Sequence, residues 1–117
     1  MGRLTTHVLD AAHGSPGRDI AIELYRVEAG GLELVARART NDDGRCDAPL
    51  LQGDDYRSGV YQLHFHAGDY YRARGVVMAE PAFLDVVVLR FGIDQSQEHY
   101  HVPLLISPYS YSTYRGS

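Results

Sequence analysis

Ile20-Ala-Ile-Glu-Leu-Tyr-Arg-Val27, then Gly30-Gly31, then Leu32-Glu-Leu-Val-Ala-Arg-Ala-Arg-Thr40 is the stretch whose reading decides the architecture. Successive side chains of a β-strand point to opposite faces. Ile20, Ile22, Leu24 and Arg26 therefore share one face, with Ala21, Glu23, Tyr25 and Val27 on the other. The glycine pair supplies a hairpin turn into the second run. Two half-buried strands joined tightly are the unit of an antiparallel sandwich.

The same grammar runs outward in both directions. Leu4–Asp10 reads as a first strand, stopped by the turn-prone His13-Gly14-Ser15-Pro16-Gly17. Asn41-Asp42-Asp43-Gly44 is a strong turn, with glycine supplying a positive φ, and a short strand around Arg45-Cys46 follows. Gly59–His66 is the next strand, and Tyr70–Val76 is the one stretch that reads as a helix, a short one. Phe83–Gly92 is so apolar and β-branched that it is expected to be buried. Glu98–Ile106 and Tyr109–Arg115 close the chain, hinged at Ser107-Pro108. The expectation is one all-β domain over residues 1–117, a two-sheet sandwich of eight strands with one short helix.

Composition narrows the function. With 117 residues the chain is long enough for one core, and its 44% hydrophobic and 22% charged content is that of an ordinary globular domain. A net charge of −4 argues against nucleic acid or an anionic membrane as partner. All 11 basic residues are Arg, so lysine Schiff-base chemistry is excluded. The single cysteine, Cys46, forms no internal disulfide and reads as a small apolar residue beside a turn. No run approaches the length of a membrane span, and the N-terminus has no signal-peptide core. A cytoplasmic location is expected, or a periplasmic one if a leader has been removed.

Strand parity also picks out a candidate surface. Tyr100, Val102, Leu104 and Ile106 form the core set of their strand, which leaves His99, His101, Pro103 and Leu105 on the opposite face. His7 and Leu9 share a face of the first strand, and Ser112 and Tyr114 one of the last. A mixed apolar and polar surface of this kind suits a small-molecule site. Each member has a plainer reading by itself. A strand histidine is more often a surface residue, an arginine after an Asp-Gly turn is usually solvated, Tyr114 suits any strand, and Ser117 is a chain end. The His-x-His pairs His64/His66 and His99/His101 raise a zinc site, but a third ligand at suitable spacing is missing.

Three segments together resemble the 5-hydroxyisourate hydrolase family, the transthyretin-related proteins. They are Leu4-Thr-Thr-His-Val-Leu-Asp10, Arg39-Thr-Asn-Asp-Asp-Gly-Arg45, and the run from His99-Tyr-His-Val-Pro-Leu-Leu-Ile106 to the terminal Tyr114-Arg-Gly-Ser117. The Gly14–Pro16 turn fits as well, and Ile106 and Ser110 are mild departures from the commoner Leu and Gly. The terminal tetrapeptide separates the hydrolases from the hormone carriers, so Gly116-Ser117 reads as native. The resemblance implies a transthyretin-like sandwich that pairs edge to edge, two such dimers forming a homotetramer around a channel, with sites at the dimer–dimer interface. It implies hydrolysis of 5-hydroxyisourate to 2-oxo-4-hydroxy-4-carboxy-5-ureidoimidazoline in urate degradation, with no cofactor and no metal. His7, Arg45, His101 and Ser117 are the implied catalytic residues, and His7, Arg45 and Tyr114 bind substrate. The rival expectations are a carrier whose channel holds a small aromatic ligand, and a metal-dependent hydrolase using the His-x-His pairs.

Overall fold

Alternation of apolar and polar residues dictates two sheets that bury one face each against the other. A computed structural model describes residues 2–116 and contains them. In chain order the strands are β1 (Arg3–Asp10), β2 (Ser15–Pro16), β3 (Ala21–Glu28), β4 (Gly31–Arg39), β5 (Leu51–Gln52), β6 (Gly59–Phe65), β7 (Val87–Ile93), β8 (His99–Ile106) and β9 (Tyr111–Thr113). One sheet runs β2-β1-β8-β9 with β5 also on β1, and the other runs β4-β3-β6-β7. Leu4 and Val8 of β1, Ile22 and Leu24 of β3, Leu63 and Phe65 of β6, and Leu104 and Ile106 of β8 meet between the sheets, essentially without exposure. Burying each such side chain contributes about 1.5–3 kcal/mol.

Pairing is antiparallel throughout except between β1 and β8, which run parallel with Arg3 opposite His99 and Asp10 opposite Ile106. The far edge of β1 is covered in pieces: β5 pairs with Arg3 and Leu4, Arg45 bridges to His7, and β2 pairs with Leu9 and Asp10. The two-residue strands β2 and β5 are thus patches on one edge. The strand expected around Arg45-Cys46 is a single bridge, because its chain leaves the edge at once.

Two other expectations are corrected. The helix is α1, Ala67–Ala73, three residues earlier than Tyr70–Val76. Gly75, at φ +79, ends it in the left-handed conformation that favours glycine. Its start carries no side-chain cap, which removes the usual sequence signal. The apolar run before Gly92 is also not uniformly buried. Phe83 is 71% exposed, and β7 alternates, with Val87 and Leu89 inward and Val88 and Arg90 outward. As an edge strand β7 has one solvated face.

Helix α1 is tied to the first sheet through Asp10, whose side chain is fully buried. Its Oδ2 accepts from the Tyr70 hydroxyl at 2.7 Å and pairs with His13 Nδ1 at 2.6 Å, while its Oδ1 accepts from the Tyr71 hydroxyl at 2.8 Å. The backbone N–H groups of Ala12 and His13 also donate to Oδ1. Burial opposes the charge, but the hydroxyls of Tyr70 and Tyr71 and the His13 contacts outweigh it and hold the carboxyl below its ordinary 3.8. The ionised form therefore stabilises the fold above that value, and the contribution is lost as pH falls through the lowered folded-state pKa. Asp10→Ala leaves the buried Tyr70 hydroxyl without its acceptor and Tyr71 with only the Ile106 carbonyl, and is expected to cost about 3 kcal/mol or more in urea unfolding at neutral pH. A loss below about 1 kcal/mol would show that this junction carries little of the stability.

Candidate active site

The parallel register places residues of equal parity side by side on the face of β1 and β8 that points away from the core. Thr5 lies across from His101, His7 from Pro103 and Leu9 from Leu105. Antiparallel pairing then sets Ser112 of β9 across from Leu105. The surface expected from alternation is therefore one continuous strip over three adjacent strands.

Two imidazoles meet in that strip. His7 Nδ1 lies 2.7 Å from His101 Nε2, so one hydrogen is shared between them. The other nitrogen of His101, Nδ1, is 2.8 Å from Thr5 Oγ1. Burial, reinforced by the charge of Arg45, lowers the pKa of His7 below the ordinary 6.5. His101 is pushed down to about 4, first by burial and then by His7, Arg45 and His99. Both rings are thus neutral at physiological pH, each with one lone pair and one N–H.

Arg45 reaches the pair from the edge of β1. Asn41 Oδ1 accepts from the backbone N–H groups of Asp43 and Arg45, and the Asn41 N–H donates to the Arg45 carbonyl at 2.7 Å. Gly44 makes the close approach possible. Its N–H donates to the Asn41 carbonyl, its own carbonyl accepts from Val8 N–H at 2.8 Å, and its φ is +74. An added Cβ would lie 2.4 Å from the Val8 carbonyl oxygen, so the turn requires glycine here. The Arg45 side chain is exposed and makes no ion pair among the described residues, which leaves its guanidinium available to an anionic or carbonyl-rich ligand.

The C-terminal segment folds back onto the same strand. Gly116 N–H donates to the His101 carbonyl at 2.7 Å, and the Arg115 guanidinium stacks 4.4 Å over the Tyr100 ring. Thr113 Oγ1 donates to the Pro103 carbonyl at 2.7 Å. This brings Gly116 to His101; Ser117 lies outside the described residues. Tyr114 is 60% exposed and lines an open cleft with Phe91, Tyr100 and Tyr111. The structure thus brings His7, His101 and Arg45 together, while Tyr114 lines a separate cleft with Tyr100 and Val102, which lie on the other face of β8 from His101.

The sequence reading assigns Asn41 and Gly44 to a turn without giving them a part in the site, and it does not single out Thr5. Thr5 was visible in principle, since it stands two residues before His7 on the same face. Of the His-x-His pairs, His64 Nε2 pairs with Gln62 at 2.9 Å and packs on Tyr25, while His66 Nε2 pairs with Glu23 at 3.1 Å. Among the described residues no group of three is arranged to hold a metal ion.

Comparison with known proteins meets this geometry. The sequence model of the HIUase/Transthyretin family matches residues 4–116. The chain belongs to that family. It is 75% identical to a 5-hydroxyisourate hydrolase of Pseudomonas aeruginosa over 117 residues, covering all of this chain and 93% of that one. The structure of an (S)-allantoin synthase superposes with a TM-score of 0.93 at 45% identity, over 99% of this chain and 44% of that one. A sea bream transthyretin in complex with thyroxine superposes with a TM-score of 0.87 at 27% identity, over 97% and 94% of the two chains. The expected transthyretin-like sandwich is thereby established, with nine strands among the described residues in place of eight.

Neutral imidazoles make the candidate site pH-sensitive in a defined direction. Proton transfer by the pair is expected to fail on the acid side, where a ring becomes charged. The acid limb of kcat/KM should lie below the ordinary 6.5, towards 4. Because the Arg45 charge lowers both rings, Arg45→Gln should move the limb of the residual activity upward. An acid limb at or above 6.5 in the parent protein would show that these rings do not control the rate.

Proposed function

We propose that this chain hydrolyses 5-hydroxyisourate, opening its six-membered ring at an amide-like C–N bond to give 2-oxo-4-hydroxy-4-carboxy-5-ureidoimidazoline. The observation that carries the reading is the 2.7 Å imidazole pair flanked by the exposed Arg45. The chain is also 75% identical over its whole length to a protein named for this activity. A carrier role draws on the 27% identical transthyretin and is the weaker reading.

The chemistry asks for three things. Water must lose a proton as its oxygen attacks the ring carbonyl, and an imidazole that is neutral near pH 7 accepts it. Negative charge grows on the carbonyl oxygen, and a fixed guanidinium such as that of Arg45 stabilises it with a fork matching adjacent O and N acceptors. The departing ring nitrogen needs a proton, which the same imidazole pair returns. Tyr114 is proposed to close over the substrate and Ser117, which lies outside the described residues, to order the site. These steps draw on side chains of this chain alone.

The chain is proposed to work as a homotetramer of two dimers, with the strip of β1, β8 and β9 facing its counterpart across the dimer–dimer interface. Support comes from the apolar members of that strip, Leu9 at 37% exposure beside Leu105, set among the polar groups. A charged substitution at exposed Ser112, across from Leu105, is then expected to release dimers. Ser112→Glu should yield dimers in analytical ultracentrifugation with lowered turnover. Fully active dimers would separate activity from assembly.

Activity itself is tested by generating 5-hydroxyisourate from urate with urate oxidase and following its ultraviolet decay. The parent protein should accelerate decay, and His101→Ala should lose about 10²–10⁴-fold of that acceleration. No acceleration by pure wild-type protein would sink the hydrolase reading and bring the carrier forward.

A further inference from the structure

An imidazole pair transfers protons in one direction only when the hydrogen on its inner ring is fixed. What fixes it here is visible around Thr5. Thr5 and Thr6 are adjacent on β1 yet do different work. Thr6 turns to the core and donates to the Val102 carbonyl at 2.6 Å, an ordinary cross-strand tie. Thr5 faces the histidines, with Oγ1 2.8 Å from His101 Nδ1 and 3.4 Å from His99 Nε2. The rings of His99 and His101 lie nearly parallel, 10° apart with centroids 6.4 Å from one another. His99 Nδ1 is buried and has no partner among the described residues. One hydroxyl oxygen is therefore held between two imidazoles of the same strand.

The placement of hydrogens follows from the inventory of each group. For His7 to accept a proton on Nε2, its own hydrogen must sit on Nδ1 and donate to His101 Nε2. The hydrogen of His101 must then be on Nδ1, and that half-buried N–H needs an acceptor. The Thr5 oxygen, in line at 2.8 Å, supplies the lone pair. Resting on the hydrolase reading above, we propose that Thr5 is a positioning residue that accepts from His101 Nδ1, fixes His101 Nε2 as the acceptor for His7 Nδ1, and so makes His7 the general base.

Protons and electrons then balance over one turnover. A water O–H bond breaks, its proton goes to His7 Nε2, and its oxygen bonds to the ring carbonyl carbon. The C–N bond breaks with its electron pair on nitrogen, and that nitrogen takes the proton from His7 Nε2. His7 and His101 end as they began. A carboxylate in place of Thr5 would also orient His101, but its charge would favour the protonated ring. The hydroxyl orients without charging.

Thr5→Val keeps the branched shape and removes the oxygen, and Thr5→Ser keeps the oxygen. Thr5→Val is expected to lower kcat about tenfold or more with KM little changed, and Thr5→Ser to restore kcat. Nitrogen-15 NMR of the imidazoles reads the tautomers directly. The parent should carry the His101 hydrogen on Nδ1 with Nε2 bare, and Thr5→Val should move or average it. A parent ring protonated on Nε2, or Thr5→Val with parental kcat and parental nitrogen shifts, overturns the proposal. If the parent fails to accelerate 5-hydroxyisourate decay, the hydrolase reading falls, and the nitrogen shifts still decide what Thr5 does to His101.

Discussion

The parallel register between β1 and β8 is the constraint on which the site depends. The two strands pair over eight successive positions, from Arg3 and His99 to Asp10 and Ile106. A slip of β1 by one residue would exchange its faces, putting Leu4 and Val8 in solvent and His7 in the core, away from His101. A slip of two keeps the faces but moves Thr5 about 6.6 Å along His101, out of hydrogen-bond reach. Leu4, Val8, Leu104 and Ile106 are buried to within 1%. The core alignment of these aliphatic residues therefore sets a spacing of 2.7 Å between two rings on the other side of the sheet. Packing on one face determines proton chemistry on the other.

Sequence alone revealed much of this and missed the rest for identifiable reasons. Alternation in Ile20–Val27 gave the core face down to Arg26, which lies buried with its guanidinium 4.7 Å over the Tyr61 ring. Alternation in β8 put His101 on the open face, and the family's motifs joined it to His7 and Arg45. The parallel sense of the β1–β8 pair was not legible, because a strand's alternation is the same in either direction. The start of α1 was hidden for another reason. Gly68 is a poor helix former, but an added Cβ there would come within 2.2 Å of Asp85 Oδ1. Tertiary closeness, invisible in one dimension, selects that glycine. Thr5 was overlooked because a threonine in a strand is the commonest of choices.

Electrostatics around the pair follow a consistent plan. Among the described residues the groups acting on the two imidazoles are a cation, Arg45, a neutral hydroxyl, Thr5, and a further imidazole, His99, and none of them is a carboxylate. Elsewhere the chain uses carboxylates freely, as when Glu23 pairs with His66 or Asp10 with His13. Those histidines are tied down by acidic partners. His7 and His101 are kept uncharged and basic only in the sense of an available lone pair, beside a positive charge suited to an electron-rich ring.

The piecemeal cover along the outer margin of β1 has a consequence for how this protein meets other chains. β5, the Arg45 bridge and β2 occupy that margin in turn, so the strand bearing His7 offers no continuous ladder to a foreign segment. Growth by strand addition on this sheet is channelled to the opposite margin at β9, and on the second sheet to β4 or β7. The same three patches that place an arginine beside the histidines thus act as a guard, keeping edge-on strand addition away from the strand the chemistry needs and leaving it to margins where an added strand does not disturb that strand.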